Sequence, residues 1–180
     1  MISSLETDRL IMRPFKIEDA GELFLLDSNP EVMKYLGKKL HSKVEESKSI
    51  IQMIQKQYSD LGIGRYAVIE KESGRLIGWS GLKLVEETTN GYYSFYDLGY
   101  RYLPEFWGKG YATEAAKAWL THGFNDMEID IIYANIFHLN KASDAVLRKV
   151  GFVKTDEFYE DDGLCWWYEL KKENFNRKSE

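Results

Sequence analysis

Two glycines one residue apart, Gly108 and Gly110, stand between a tyrosine-rich run, Tyr92 to Tyr102, and a strongly helical run, Thr113 to Phe124. Residues in that order can hold a phosphate group without any reactive side chain. Glycine reaches backbone conformations closed to other residues and lets the main chain approach a ligand closely. A following helix adds amides that lack partners and a positive dipole end. Strand, glycine turn and helix N-terminus together make a backbone anion site. The spacing excludes two common versions. There is no Gly-x-x-x-x-Gly-Lys-Ser/Thr run, and Thr113 stands where a Gly-x-Gly-x-x-Gly turn needs its third glycine. What remains is Gly108-x-Gly110-x-Ala112, preceded by Trp107.

A second segment, Asn135-Ile-Phe-His-Leu-Asn140-Lys-Ala-Ser143, follows a β-branched and aromatic run from Ile129 to Ile136. Asparagine is a good helix N-cap and glycine a good stop, so a helix is expected from about Asn140 to Gly151. Asn140 and Ser143 then fall on its first turn.

Taken together, Trp107-x-x-Gly110-x-Ala112, Asn140-x-x-Ser143 followed by Gly151-Phe152, Leu5-Glu-Thr-Asp-Arg-Leu-Ile-Met-Arg-Pro14 and Asn29-Pro-Glu-Val-Met-Lys-Tyr35 resemble the GNAT acetyltransferases. The similarity is to the branch that includes ribosomal-protein N-terminal acetyltransferases. One departure is Trp107, where the family has Arg or Gln. The resemblance implies a GNAT fold, an α+β three-layer domain with a mixed, mostly antiparallel central sheet flanked by helices.

It also implies acetyl-CoA as cosubstrate and an amine as acceptor, with direct transfer between them. Backbone amides from Gly108 through Lys109, Gly110, Tyr111 and Ala112 to Thr113 would hold the pyrophosphate. Lys109 either adds a charge or is a solvated loop lysine. The strand edge at Tyr100, Arg101, Tyr102 and Leu103 would pair with the pantetheine arm as an added strand. An amide at Tyr102 or Leu103 would polarise the thioester carbonyl. Asn140 would contact the pantetheine, cap its helix, or both. Ser143 is the expected acid for the departing thiolate. Asp97 matches the strand carboxylate that some of these acetyltransferases use as the base, or pairs structurally with a nearby cation; Glu31, Glu105, Glu157 and Glu160 are alternatives, and no base is needed if the free amine binds. The branch points to a peptide or protein N-terminal amine. A polyamine or antibiotic acceptor, or a non-catalytic coenzyme A-binding module, is the rival. Dimers are frequent in the family, so a homodimer is part of the expectation.

Size and composition agree with one globular domain spanning 1–180: 180 residues, 44% hydrophobic and 29% charged. A net charge of -5 speaks against a nucleic-acid partner. The lone Cys165 excludes an internal disulfide and is expected as a buried thiol. His41, His122 and His138 form no metal-ligand spacing, so no metal is expected. With no signal-like or membrane-spanning run, the expected partners exclude a membrane and the expected compartment is cytoplasmic.

These residues need positioning elements. The patterns predict a first strand over Leu5 to Phe15 and a helix over Glu18 to Asp27. A long helix follows, opened by a Ser42-x-x-Glu45 capping box and ended by Gly62 and Gly64. Strands Arg65 to Lys71 and Leu76 to Val85 flank the turn Glu72-Ser-Gly-Arg75, and another runs from Tyr92 to Leu103. Strands Phe152 to Glu160 and Leu164 to Leu170 join across Asp161-Asp162-Gly163 in a primed hairpin turn. Residues 176–180 are expected to be a flexible tail. Trp79, Phe95 and Trp166 are candidates for the cleft wall.

Overall fold

The computed structural model describes residues 2–35, 39–160 and 163–176. The sequence also suggests a short helical turn over Glu31 to Leu36, whose last residue lies outside them, as do Asp161 and Asp162 of the expected hairpin turn and 177–180 of the segment expected as a tail.

Among the described residues, eight strands form one sheet in the order β1-β2-β3-β4-β5-β6-β8-β7. They are β1 (Leu5–Glu6), β2 (Leu10–Arg13), β3 (Tyr66–Glu70), β4 (Leu76–Val85), β5 (Phe95–Tyr102), β6 (Ile131–Phe137), β7 (Val153–Glu160) and β8 (Gly163–Lys171). All neighbours are antiparallel except β5 and β6. The helices are α1 (Ala20–Asp27), α2 (Pro30–Met33), α3 (Val44–Leu61), α4 (Tyr111–Thr121), α5 (Lys141–Val150) and α6 (Lys172–Asn176).

Turn chemistry sets most boundaries. Gly62 closes α3 and Gly151 closes α5, both with positive φ (70° and 109°). The expected first strand is instead two. Thr7 N–H donates to the Leu10 carbonyl, and Leu10 N–H to Thr7 Oγ1, folding Leu5–Glu6 back on Leu10–Arg13. The expected Ser42–Glu45 capping box does not form: the Ser42 amide donates to the Glu46 carboxylate at 3.0 Å, Lys43 is the N-cap, and α3 starts at Val44. Helix α4 begins at Tyr111, two residues before the expected start, and runs into a π-turn over His122–Asp126. Helix α6 had no signal in the sequence reading.

The core joins these layers. Trp119 of α4 packs edge-on against Tyr66 of β3 at 4.9 Å, and both are fully buried. Phe95, Tyr133 and Trp167 form an aromatic cluster linking β5, β6 and β8. Phe95 therefore belongs to the core rather than to the cleft.

The parallel pairing of β5 with β6 is short. It includes Tyr96 with Ile132 and Asp97 with Tyr133, and no further partners are matched beyond them, although both strands continue. The sheet is split there, and the site lies in the split.

Candidate active site

The direction of the free amides follows from the ladder. Antiparallel neighbours receive the amides of alternate residues. Leu103 N–H donates to the Ile77 carbonyl at 3.0 Å, on the β4 side. The amide of Tyr102 therefore turns toward the split. This corrects the expectation for Leu103: its N–H is taken by the sheet and its side chain is buried. The Tyr102 carbonyl is occupied too, accepting from Trp107 Nε1 at 2.7 Å. Trp107, half exposed, thus closes over the end of β5 where the family pattern has Arg or Gln.

Gly108 and Gly110 have φ of 73° and 84°, conformations that favour glycine. Gly110 is the N-cap of α4 and supplies no side chain to cap it. The amides of Tyr111, Ala112 and Thr113 have no acceptor within the helix, so they remain for an anion. Arg9 braces the loop from behind. Its Nη1 donates to the Lys109 carbonyl at 3.0 Å, its Nε to Glu114 at 2.7 Å, and its guanidinium lies 4.4 Å over the Tyr111 ring. Burial raises the Glu114 pKa, but bonds from Thr7 and Arg9 outweigh it and hold the carboxyl below its usual range. The Lys109 ammonium lies 4.8 Å over the ring of Phe106, itself a groove residue, although Lys109 does not line the groove.

Two cavities occupy the split. A groove of about 720 Å³ runs past Tyr102, Trp107, Gly108, Gly110, Ala112 and Thr113 to Asn140 and Ser143. Tyr111 also lines it, with its hydroxyl bound to Glu70. A pocket of about 310 Å³ has aromatic walls in Tyr35, Trp79, Tyr100 and Phe137, and Asp97 and Arg65 at its polar end. Tyr35, Tyr100, Arg101, Asn140 and Ser143 line both. A bond could pass from one cavity to the other at that junction.

Asn140 Oδ1 accepts from the Ser143 amide at 3.1 Å, which caps α5 and leaves the Nδ2 amide as the group for a ligand. The Tyr100 hydroxyl donates to the Ser143 carbonyl at 3.3 Å, tying the first turn of α5 to β5 across the split. Asp97 is paired with Arg65, and burial pushes its carboxyl up against the lowering effect of that cation. Among the alternative carboxylates, Glu160 lines the pocket and Glu31 the groove. Glu105 pairs with Arg75, and Glu157 with Lys154. Trp79 is a cleft wall as expected, whereas Trp166 sits beneath Lys141 and Lys154.

Cys165 is buried and touches the pocket. The histidines are apart: His41 contacts Ser47, His122 contacts Asp126, and His138 contacts the Leu164 carbonyl. Among the described residues no helix is long and apolar enough to cross a membrane. Arg9 and Arg65 have no site role in the sequence-based expectations: Arg9 lies in the Leu5–Pro14 motif and Arg65 at a strand start, and each finds its partner far along the chain.

Residues 9–153 match the family model described as the acetyltransferase (GNAT) domain. The uncharacterized N-acetyltransferase YoaA of Bacillus subtilis is 32% identical over 86% of this chain and 85% of its own. A spermidine N(1)-acetyltransferase of Escherichia coli is 28% identical over 78% of this chain and 71% of its own. The structure of AAC(6')-Ib in complex with ribostamycin and coenzyme A superposes with a TM-score of 0.79 at 16% identity, covering 96% of this chain and 99% of that one. A split sheet, a glycine loop with free amides and a matching domain model converge: the chain belongs to the GNAT family and is an acetyl-CoA-dependent N-acetyltransferase.

Proposed function

We propose that the acceptor is a peptide or protein N-terminal amine, acetylated directly while both substrates are bound. The meeting of groove and pocket at Asn140 and Ser143 supports this reading above all. Acetyl-CoA supplies an activated acetyl group. The residues fit it: amides of Gly108, Gly110, Tyr111, Ala112 and Thr113 for the pyrophosphate, Asn140 Nδ2 for the pantetheine, and the Tyr102 amide for the thioester carbonyl.

The amine enters from the pocket of about 310 Å³, a size suited to one residue's side chain and its α-amine. In this reading Asp97 takes the proton from the ammonium group, leaving a neutral nucleophile. As the new C–N bond forms and the C–S bond breaks, the Ser143 hydroxyl protonates the departing sulfur and is itself reprotonated from the nitrogen or solvent. The pocket's Asp97 carboxylate is already paired with a guanidinium, which favours a monoamine over a polycation. The similarity to a spermidine acetyltransferase supports a polyamine as the second reading. The reaction needs no compartment other than the cytoplasm, and a homodimer is compatible with it.

Thiol release from acetyl-CoA, measured in parallel with N-terminal peptides and with spermidine, tests both. Turnover with peptides alone is expected. Turnover with spermidine alone overturns the acceptor assignment, and binding of acetyl-CoA without turnover across a wide amine panel favours a coenzyme-binding module.

A further inference from the structure

The coenzyme groove has no use for Arg65, yet the sheet is shaped around it. Arg65 stands just ahead of β3, and its side chain crosses β4 to reach β5. There Nη1 donates to the carbonyls of Gly81 and, at 2.7 Å, of Asp97, while Nη2 binds Asp97 Oδ2. Gly81 and Gly99 face each other in the β4–β5 register. A Cβ on Gly99 would lie 2.5 Å from Arg65 Nη2 and 2.7 Å from its Cζ. Glycine at 99 therefore keeps the path open for the guanidinium. Trp79 lies 5.5 Å from the Arg65 Cζ and 4.9 Å from that of Arg101. The Arg65 and Asp97 side chains are only 13% and 17% exposed.

We infer that Arg65 is a positioning residue for the acceptor chemistry, holding Asp97 as an ionised base at the polar end of the acceptor pocket and so setting the lowest pH at which the enzyme can accept an amine proton. The inference rests on the reading of Asp97 as the base.

A buried carboxylate favours its neutral form, and a neutral carboxyl cannot take a proton. Burial acts on Asp97 in that direction and Arg65 opposes it, with a smaller contribution from Lys83 on β4. The other charged or titratable neighbours are differently engaged. Arg101, two residues along β5, pairs with Asp27 of α1. Tyr100 turns its hydroxyl to Ser143, Tyr133 faces Asp97 across the β5–β6 register, and Glu160 and Cys165 line the pocket from β7 and β8. Among the described residues, Arg65 alone hydrogen-bonds the Asp97 carboxylate.

The test is the pH profile of kcat/KM for the acceptor in wild type, Arg65→Gln, Arg65→Lys and Asp97→Asn. Acetyl-CoA affinity by calorimetry serves as the check on folding. Removing the cation should raise the midpoint of the acid limb by about one pH unit or more. Lysine, which keeps the charge but not the forked geometry, should raise it less. Coenzyme affinity should stay unchanged, and Asp97→Asn should abolish the limb. An even loss of kcat/KM at every pH in Arg65→Gln, with the midpoint unmoved while Asp97→Asn abolishes the limb, overturns the role of Arg65 alone. Retention of the limb in Asp97→Asn overturns the base reading and the Arg65 role together. Should Arg65→Gln not fold, Arg65→Lys decides: a midpoint indistinguishable from wild type overturns the assignment.

Discussion

Arg9 donates a hydrogen bond at 3.0 Å to the backbone carbonyl of Lys109, a hundred residues further along the chain. The contact fixes the middle of the glycine loop, and Arg9 is not itself among the residues lining the groove. Arg9→Ala should leave the fold intact but loosen the loop, weakening acetyl-CoA binding roughly tenfold, the equivalent of one hydrogen bond to a charged group. Titration calorimetry reads this directly, and an unchanged Kd would detach Arg9 from the loop's geometry.

Gly110→Ala places a side chain at a φ of 84° without a steric clash, since the added Cβ would lie 3.5 Å from Arg9 Nη2. The substitution therefore tests conformation alone. A left-handed residue other than glycine costs about 1–2 kcal/mol. If the loop flips to escape that cost, its amides turn away and coenzyme affinity falls by about tenfold or more. Unimpaired binding with an unchanged melting temperature would contradict the assignment.

Asn140 offers a way to separate capping from coenzyme contact. Asn140→Asp retains an oxygen for the Ser143 amide and should keep the melting temperature, while losing the Nδ2 donor and weakening coenzyme binding. Asn140→Ala removes the cap as well and should destabilise the protein by about 1 kcal/mol. Thermal melts with and without acetyl-CoA distinguish the two effects, and equal behaviour of both variants would remove the contact.

Ser143→Ala should slow turnover by about tenfold or more while leaving acetyl-CoA affinity within about twofold. The backbone bonds from Tyr100 and Asn140 do not depend on the hydroxyl, so the helix start should survive. Steady-state kinetics with a saturating acceptor would show it, and an unaltered kcat retires Ser143 as the acid.

The lowered pKa of Glu114 gives a stability prediction with a definite sign. Its folded-state value lies below the unfolded one, so its contribution is present above the unfolded carboxyl pKa and is lost as pH falls through the folded value. Glu114→Gln should be less stable than wild type at pH 7, and the two should converge in acid below about pH 4. Parallel chemical denaturation at both pH values measures this; a constant difference would exclude the linkage.

Much of the site was legible because its key features are local. Gly108 and Gly110 are visible as glycines before a helical pattern, and their positive φ is what that residue type permits. Asn140 and Gly151 bracket α5 within a residue of the expected ends by cap chemistry that needs no tertiary context. The reading failed where distant partners decide. Thr7 turned one expected strand into two through a hydroxyl bond to Leu10, and Leu103 lost its amide to Ile77 across the ladder. Nothing near Arg65 in the sequence indicates that Asp97 lies in reach, because two strands must first assemble to bring them together. The flanking Gly64, with Gly81 and Gly99 at matched register, is the nearest thing to a signal, and it becomes readable only once the pairing is known.

The early end of the β5–β6 pairing has a consequence beyond catalysis. An unmatched strand rim on a protein's exterior invites other chains to dock and aggregate. Here the unfinished rim is kept indoors, in a slot that admits a slender linear molecule and excludes another sheet. Occupancy would then complete the architecture, so acetyl-CoA should raise the melting temperature with the logarithm of its concentration above Kd and slow hydrogen exchange along β5 and β6 ahead of the rest of the molecule.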